Sequence, residues 1–313
     1  MPDREPSPRR TVLVAASSNI AIAVAKAIAA LLTGSAALWA ETLHSIADTG
    51  NQILLFVGLR RSARPPDRQH PFGHGQERFF WAFLAALGIF LVGGLLSIGE
   101  GIRGLLLPEP LRSPAVGIGV LVVAGGFEGY SWWTARRQLH RDAARLRRSS
   151  ATHLRLASDP SAPTVFFEDS AALVGIGLAL AALVLDLITG WRWWDPLASI
   201  LIGVLLIGVS WLLARRSKGL LLNQSAPDDI VDPLRAMVSG KDWVAEVHRV
   251  EAVYVGPARV LVTVWLTPVA ELVRSPARRL LELVESLRLE LLGRPEVAEF
   301  TVTVVLPDDP TFP

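Results

Sequence analysis

Apolar residues along the chain fall into six runs, at 11–32, 35–59, 80–106, 114–135, 164–188 and 193–214. A helix needs about 20 such residues to cross a hydrocarbon core, so each run predicts a transmembrane span. The first is too long for the apolar stretch of a signal peptide, and a second follows almost at once, so it is expected to be retained. From about Leu220 the periodicity changes. Asp228–Val238 reads as a short helix, Val244–Val255 and Arg259–Leu266 as strands separated by a Gly256-Pro257 turn, Pro276–Leu292 as an amphipathic helix, and Val297–Leu306 as a third strand. The expected fold class is an α-helical membrane protein: a six-helix transmembrane domain at 1–216 and a small α+β (α-β-β-α-β) cytoplasmic domain at 217–313. The tail 307–313 is expected to be loose. No repeat of 20 to 50 residues stands out.

Polar positions orient the spans. Arg4, Arg9 and Arg10 precede the first run, Arg60, Arg61, Arg64 and Arg68 follow the second, seven arginines between Arg136 and Arg155 follow the fourth, and Arg215, Arg216 and Lys218 follow the sixth. The opposite connections hold only Arg112 and Arg192, with Arg103 near a helix end. Positive charge stays on the cytoplasmic side, which places both termini there, with Trp191, Trp193 and Trp194 as an interfacial belt on the outer side.

Composition narrows the chemistry. The 313 residues are 51% hydrophobic and 19% charged, with net charge +2 and a mean hydropathy of +0.39. A net charge near zero argues against nucleic acid as a partner. The chain has no cysteine, which excludes disulfides, thiolate metal sites and a cysteine nucleophile and leaves His, Asp, Glu, Asn and backbone oxygen as ligands. No Walker A string or HExxH motif is present, so neither ATP-driven pumping nor zincin-type proteolysis has support, and no enzyme is expected.

Within the second run stand Glu41, His44, Asp48 and Asn51. A charge at bilayer depth costs about 2.5–3.5 kcal/mol on insertion scales, so several on one helix call for a use. His44 and Asp48, spaced i,i+4, share a helix face and form a workable pair of ligands for a divalent cation. Glu168 and Asp169 in the fifth run are the complement. Adjacent residues differ by about 100° around a helix, so one of the two carboxylates faces His44 and Asp48 while the other meets a water-filled path or another polar group. The spacing does not choose between them. After the second run, Asp67, His70 and His74 offer three ligands with a fourth place for water, as tetrahedral zinc permits. Taken alone, that loop reads first as a basic connector with idle histidines, and its position beside the polar stripe is what favours a metal site. Asn19, Lys26, Glu100 and Glu128 are read as neutralising or hydrogen-bonding one another, and His140 and His153 as solvated.

These residues resemble those of the cation diffusion facilitator family. The resemblance is carried by Glu41-Thr-Leu-His44-Ser-Ile-Ala-Asp48-Thr, His70-Pro-Phe-Gly-His74-Gly-Gln-Glu77-Arg-Phe-Phe-Trp81, Glu168-Asp169-Ser-Ala-Ala-Leu-Val-Gly175 and Asp195-Pro196, together with the α-β-β-α-β tail. It implies a homodimeric exporter of divalent metal, most often zinc, exchanged against protons, and the expected location is a bacterial inner membrane. It also implies that His44 and Asp48 form one half of the transport site, that Asp169 belongs to the other half, and that Asp67, His70 and His74 match a second site. Four residues before Asp169, where most members place His or Asp, this chain has Val165. Glu168 and Asn51 are the candidates for the missing ligand, and the Glu168-Asp169 pair resembles the branch that includes the vertebrate mitochondrial zinc transporter. A third site in the tail is rich in His and acids in the family, but His248 is the single histidine here and is read as structural.

Ligation requires neutral imidazole and ionised carboxylates, so cation entry displaces protons and antiport follows from the ligand set. With one imidazole and no thiolate, Mn²⁺, Fe²⁺ and Co²⁺ stay open beside zinc. The alternative from another class is a metal-sensing or scaffold membrane protein of the same fold that does not transport.

Overall fold

The computed structural model describes residues 8–108, 110–145 and 148–305, side chains 8–18 and 155 excepted. The expected loose tail 307–313, the end of the third strand at Leu306, and Arg4 and Arg147 lie outside the described residues, as do the side chains of Arg9, Arg10 and Arg155. The chain divides into two compact units, one of residues 1–57 and 81–217, the other of residues 58–80 and 218–313.

The first unit is helical. Its elements are α1 (Pro8–Thr33), α2 (Ala36–Ser62), α3 (Glu77–Gly88) and α4 (Leu96–Leu106), α5 (Pro114–Arg145), α6 (Ser150–Leu156), α7 (Ser161–Thr189) and α8 (Trp194–Leu221). A π-helical turn, Ile89–Leu95, joins α3 to α4, so the two run on as one 30-residue rod. Among the described residues four helices are long and apolar enough to cross a membrane: this rod, α5, α7 and α8. The apolar part of α1 within the described side chains is Asn19–Thr33. Along α2 the apolar face is interrupted by the polar stripe and by Arg60 and Arg61 in the last turn.

Several boundaries have local causes. Gly34 and Gly190 take the left-handed conformation (φ 70° each), closing α1 and α7 in a way that only glycine does without strain. Asp195 at the start of α8 caps α2 from a neighbouring chain segment: it accepts hydrogen bonds from the Ala36 N–H at 2.6 Å and the Ser35 hydroxyl at 2.5 Å. The core is rich in small residues, among them Ala29, Ala40, Ala124 and Ala179, with Leu38, Leu121, Leu183 and Ile202 filling between them. Such residues let helix backbones approach closely. At Gly203 on α8 a Cβ would stand 2.8 Å from the Gly94 carbonyl, so the widened π-turn and α8 meet backbone to backbone.

The second unit follows the expected α-β-β-α-β order: α9 (Asp228–Ser239), β1 (Val244–Gly256), β2 (Arg259–Pro268), a single-turn α10 (Ala270–Val273) that the pattern did not predict, α11 (Ala277–Leu292) and β3 (Val297–Val304). The sheet order is β1-β2-β3, with β1 antiparallel and β3 parallel to β2, α11 making the crossover that parallel pairing requires. Burial alternates strictly along β2, which gives one face to the core: Val260, Val262, Val264 and Leu266 meet Leu234, Leu287, Leu291 and Phe300. Phe79, from the segment after α2, is fully buried in this same core.

Candidate metal and ion sites

The polar stripe on α2 is buried. Glu41, His44 and Asn51 are at most 4% exposed. Asn51 donates through Nδ2 to both carboxylate oxygens of Glu168 on α7, at 2.5 Å each. Asp48 accepts from Asn19 of α1 at 3.3 Å and from Gln52 at 3.1 Å, and its carboxyl neighbours that of Glu168. The two acids of α7 thus part company. Glu168 turns to Asn51 and Asp48 on α2, whereas Asp169 accepts from Ser131 of α5 at 2.7 Å. Trp132, the next residue on α5, donates to Ser170 at 3.0 Å. The Nδ1 atom of His44 and the Oδ1 atom of Asn51 are buried with no hydrogen-bond partner among the described residues, which leaves a nitrogen and an oxygen able to meet a cation.

Beside this cluster lies an ion pair. Lys26 of α1 contacts Glu41 at 2.9 Å and the Ser45 hydroxyl at 3.0 Å, with lysine and glutamate both fully buried. The expectation that Asn19, Lys26, Glu100 and Glu128 satisfy one another is therefore corrected: Lys26 pairs with Glu41, Asn19 with Asp48, and Glu100 with Arg103 at 3.1 Å. Glu41 looked like part of a ligand stripe, and its use as a counter-ion was missed. The available signal was a lone lysine in the neighbouring apolar run.

In the second unit, Asp67, His70 and His74 converge: their ligand atoms lie within 4.8 Å of one another, and among the described residues no other group of three His, Asp or Glu does so. Asp67 Oδ2 is 3.0 Å from His74 Nε2, Asp67 Oδ1 is 3.4 Å from His70 Nδ1, and the imidazole centroids are 4.1 Å apart. Local sequence builds this. Pro71 occupies the second place of a turn from His70 to Gly73, closed by Gly73 N–H to His70 O at 2.9 Å, and Gly73 has φ 85°. Asp67 accepts from the backbone N–H groups of His70 and Gln69 at 2.7 and 2.8 Å. Those bonds, led by His70 and joined by the His74 side chain, hold its carboxyl down at about 2, so it stands ready as an anionic ligand. Two borderline imidazole nitrogens and one hard carboxylate oxygen fit a divalent cation with a place left for water.

The remaining histidines play other parts. His248 lies on β1, its Nε2 2.8 Å from the Thr267 hydroxyl, in keeping with a structural role. His140 is exposed and 2.8 Å from Ser150. His153 was expected to be solvated and is not: it is 8% exposed, because the arginine-rich connection contains α6, whose end is fastened when Arg216 of α8 donates to the Leu154 and Ala157 carbonyls.

The helical unit thus gathers an imidazole, a carboxyl and an amide from α2 and a second carboxyl from α7, a donor set able to meet a cation. Residues 12–222 match the family described as the cation efflux transmembrane domain, and the chain belongs to that family, one of transporters and not of enzymes. It is 32% identical over 253 residues to the human proton-coupled zinc antiporter SLC30A9, mitochondrial, covering 81% of this chain and 44% of that protein. Metal tolerance protein C4 of Arabidopsis thaliana is 32% identical over 227 residues, covering 72% and 49%. The manganese efflux system protein MneP of Bacillus subtilis is 26% identical over 255 residues, covering 80% of each. The chain spans a little under half the length of the first two relatives.

Proposed function

We propose that this chain is a secondary-active exporter of a divalent metal, zinc in the first instance, exchanged against protons, with six membrane spans formed by α1, α2, the α3–α4 rod, α5, α7 and α8. Residues 1–216 form its membrane part and 217–313 a cytoplasmic domain, the termini are cytoplasmic, and it works as a homodimer in a bacterial inner membrane. The observation that carries the reading is the contact of the α2 stripe with Glu168: Asn51 bonds to this carboxyl and Asp48 neighbours it, with the free Nδ1 of His44 on the same helix face. The zinc antiporter named among the relatives supports the choice of ion and of proton exchange.

In this reading His44, Asp48 and Glu168 are the transport ligands. Asn51 holds Glu168 in place, and Asp169 enters when α7 turns relative to α5. Two neighbouring carboxyls share a proton between them, and a divalent cation that takes an oxygen from each replaces it. Rocking of the helices around that fixed point then gives alternating access. Asp67, His70 and His74 bind a second metal ion.

Proteoliposomes loaded with a pH-sensitive dye and offered Zn²⁺, Mn²⁺, Fe²⁺ and Co²⁺ test this directly. Metal uptake matched by counter-movement of protons is expected, and it should vanish in His44→Ala and Asp48→Ala. Flux without proton movement would point to a channel, and binding without flux to the sensor alternative.

A further inference from the structure

The outward face of α5 changes character along its length in the order in which a phospholipid changes. Val123 and Phe127 are exposed apolar side chains, Tyr130 and Trp133 follow as exposed amphipathic rings, and Arg136, Arg137 and His140 come next, all exposed. Positions 133, 136, 137 and 140 share one helix face. They line a recess of about 420 Å³. The helix is 32 residues long, about 48 Å at ~1.5 Å per residue, whereas a hydrocarbon core is ~30 Å thick. Its apolar stretch ends at Ala135, so the last ten residues, with four arginines and His140 against the single acid Asp142, project into the headgroup layer.

The arginines are pre-positioned there. The Arg136 guanidinium lies 5.2 Å over the Trp132 ring and that of Arg137 5.3 Å over Trp133, so each exposed cation rests on an aromatic platform. We propose that this face is a binding site for an anionic phospholipid. Arg136 and Arg137 take the phosphate as charge-assisted hydrogen bonds, Trp133 and Tyr130 lie along the glycerol region, and the acyl chain runs past Phe127. The site bears on the ion path through Trp132, which stacks on Phe166 of α7 at 6.1 Å and donates to Ser170, next to Asp169. The inference rests on α5 crossing the bilayer but on no assumption about the ion carried, and its test reads lipid rather than flux.

The delipidated full chain in detergent is titrated with phosphatidylglycerol or with phosphatidylcholine of the same acyl chains, and bound lipid is counted by native mass spectrometry. Phosphatidylglycerol should be retained about tenfold better, the preference should fall with added salt, and it should disappear in Arg136→Gln/Arg137→Gln while surviving in the control Arg235→Gln. Equal retention of the two lipids, or an undiminished preference in the double variant, overturns the proposal. So does full displacement by millimolar inorganic phosphate, which would mark a site for soluble anions. If the double variant does not fold, the salt series on the unaltered chain and Trp133→Ala carry the same test.

Discussion

Asn51 on α2 and Glu168 on α7 are locked together by one amide that serves both carboxylate oxygens at 2.5 Å. Substituting either residue should separate a positioning role from a ligand role. A hydrogen bond to a charged group contributes about 1.5–3 kcal/mol, so Asn51→Ala is expected to raise the half-saturating metal concentration by about ten- to a hundredfold and leave some transport. Glu168→Gln removes a ligand and should abolish proton-coupled flux in proteoliposomes. If Glu168→Gln transports normally while Asp169→Asn does not, Asp169 is the ligand and Glu168 the bystander.

Lys26 and Glu41 lend themselves to a paired test. Both are fully buried, and removing one partner of such a pair leaves a bare charge that costs about 3–5 kcal/mol. Lys26→Met or Glu41→Gln alone should lower the melting temperature in detergent sharply. The double variant should recover most of the loss, because no charge is left unpaired. A double variant as unstable as the worse single one would show that the pair is not what matters there.

How far the chain could be read in advance depended on what sets each feature. Long helices were legible because the solvent they face imposes length and apolarity, and β2 was legible because one buried face imposes alternation. The π-turn at Ile89–Leu95 was not, since it arises where Gly94 meets Gly203, a contact of positions more than a hundred residues apart. Nor was α6, a seven-residue helix after the arginine-rich stretch, too short to show an apolar stripe and held by Arg216 from a distant helix. At the candidate ion site the residue types were evident, but which acid of Glu168-Asp169 turns to α2 is decided by Asn51 on one side and Ser131 on the other. Sequence spacing carries no such rotation. The loop triad was readable because Pro71 and Gly73 fix its turn locally.

Metal binding by the loop triad should have a particular dependence on pH. The Asp67 carboxyl is held down at about 2, below its ordinary value near 4, by the His70 and Gln69 N–H groups and the His74 ring. A depressed carboxyl contributes above its ordinary value and loses that contribution only as pH falls through the depressed one. Asp67 is therefore ionised throughout pH 5–8. Titration calorimetry with Zn²⁺ should find Asp67→Asn weaker than the unaltered chain by about ten- to a hundredfold, with the same ratio at pH 5.5 and pH 7.5. A carbon-13 NMR titration of the metal-free chain that finds the Asp67 midpoint near the ordinary value of about 4 would contradict the tight hold on Asp67.

Phe79 and Gly75 are the residues through which the segment after α2 belongs to the second unit. Phe79 is wholly buried among Leu234, Val262 and Leu287, and replacing such a side chain by alanine costs about 3–5 kcal/mol. A Cβ at Gly75 would stand 2.5 Å from the Val255 carbonyl, a backbone group that cannot swing aside as a flexible side chain can. Gln76 adds a bond to Asn223 at 3.1 Å. Phe79→Ala is expected to lower the denaturation midpoint of this unit. Gly75→Ala, which pushes the segment off the β1–β2 turn while leaving Phe79 intact, should cost less in stability. Both should weaken metal binding at Asp67, His70 and His74, because the turn that aligns the two imidazoles loses its footing one residue away. Measuring zinc affinity against denaturant midpoint for the pair decides the matter: if affinity is unchanged in both, the turn holds the triad by itself and the anchoring contributes only to folding.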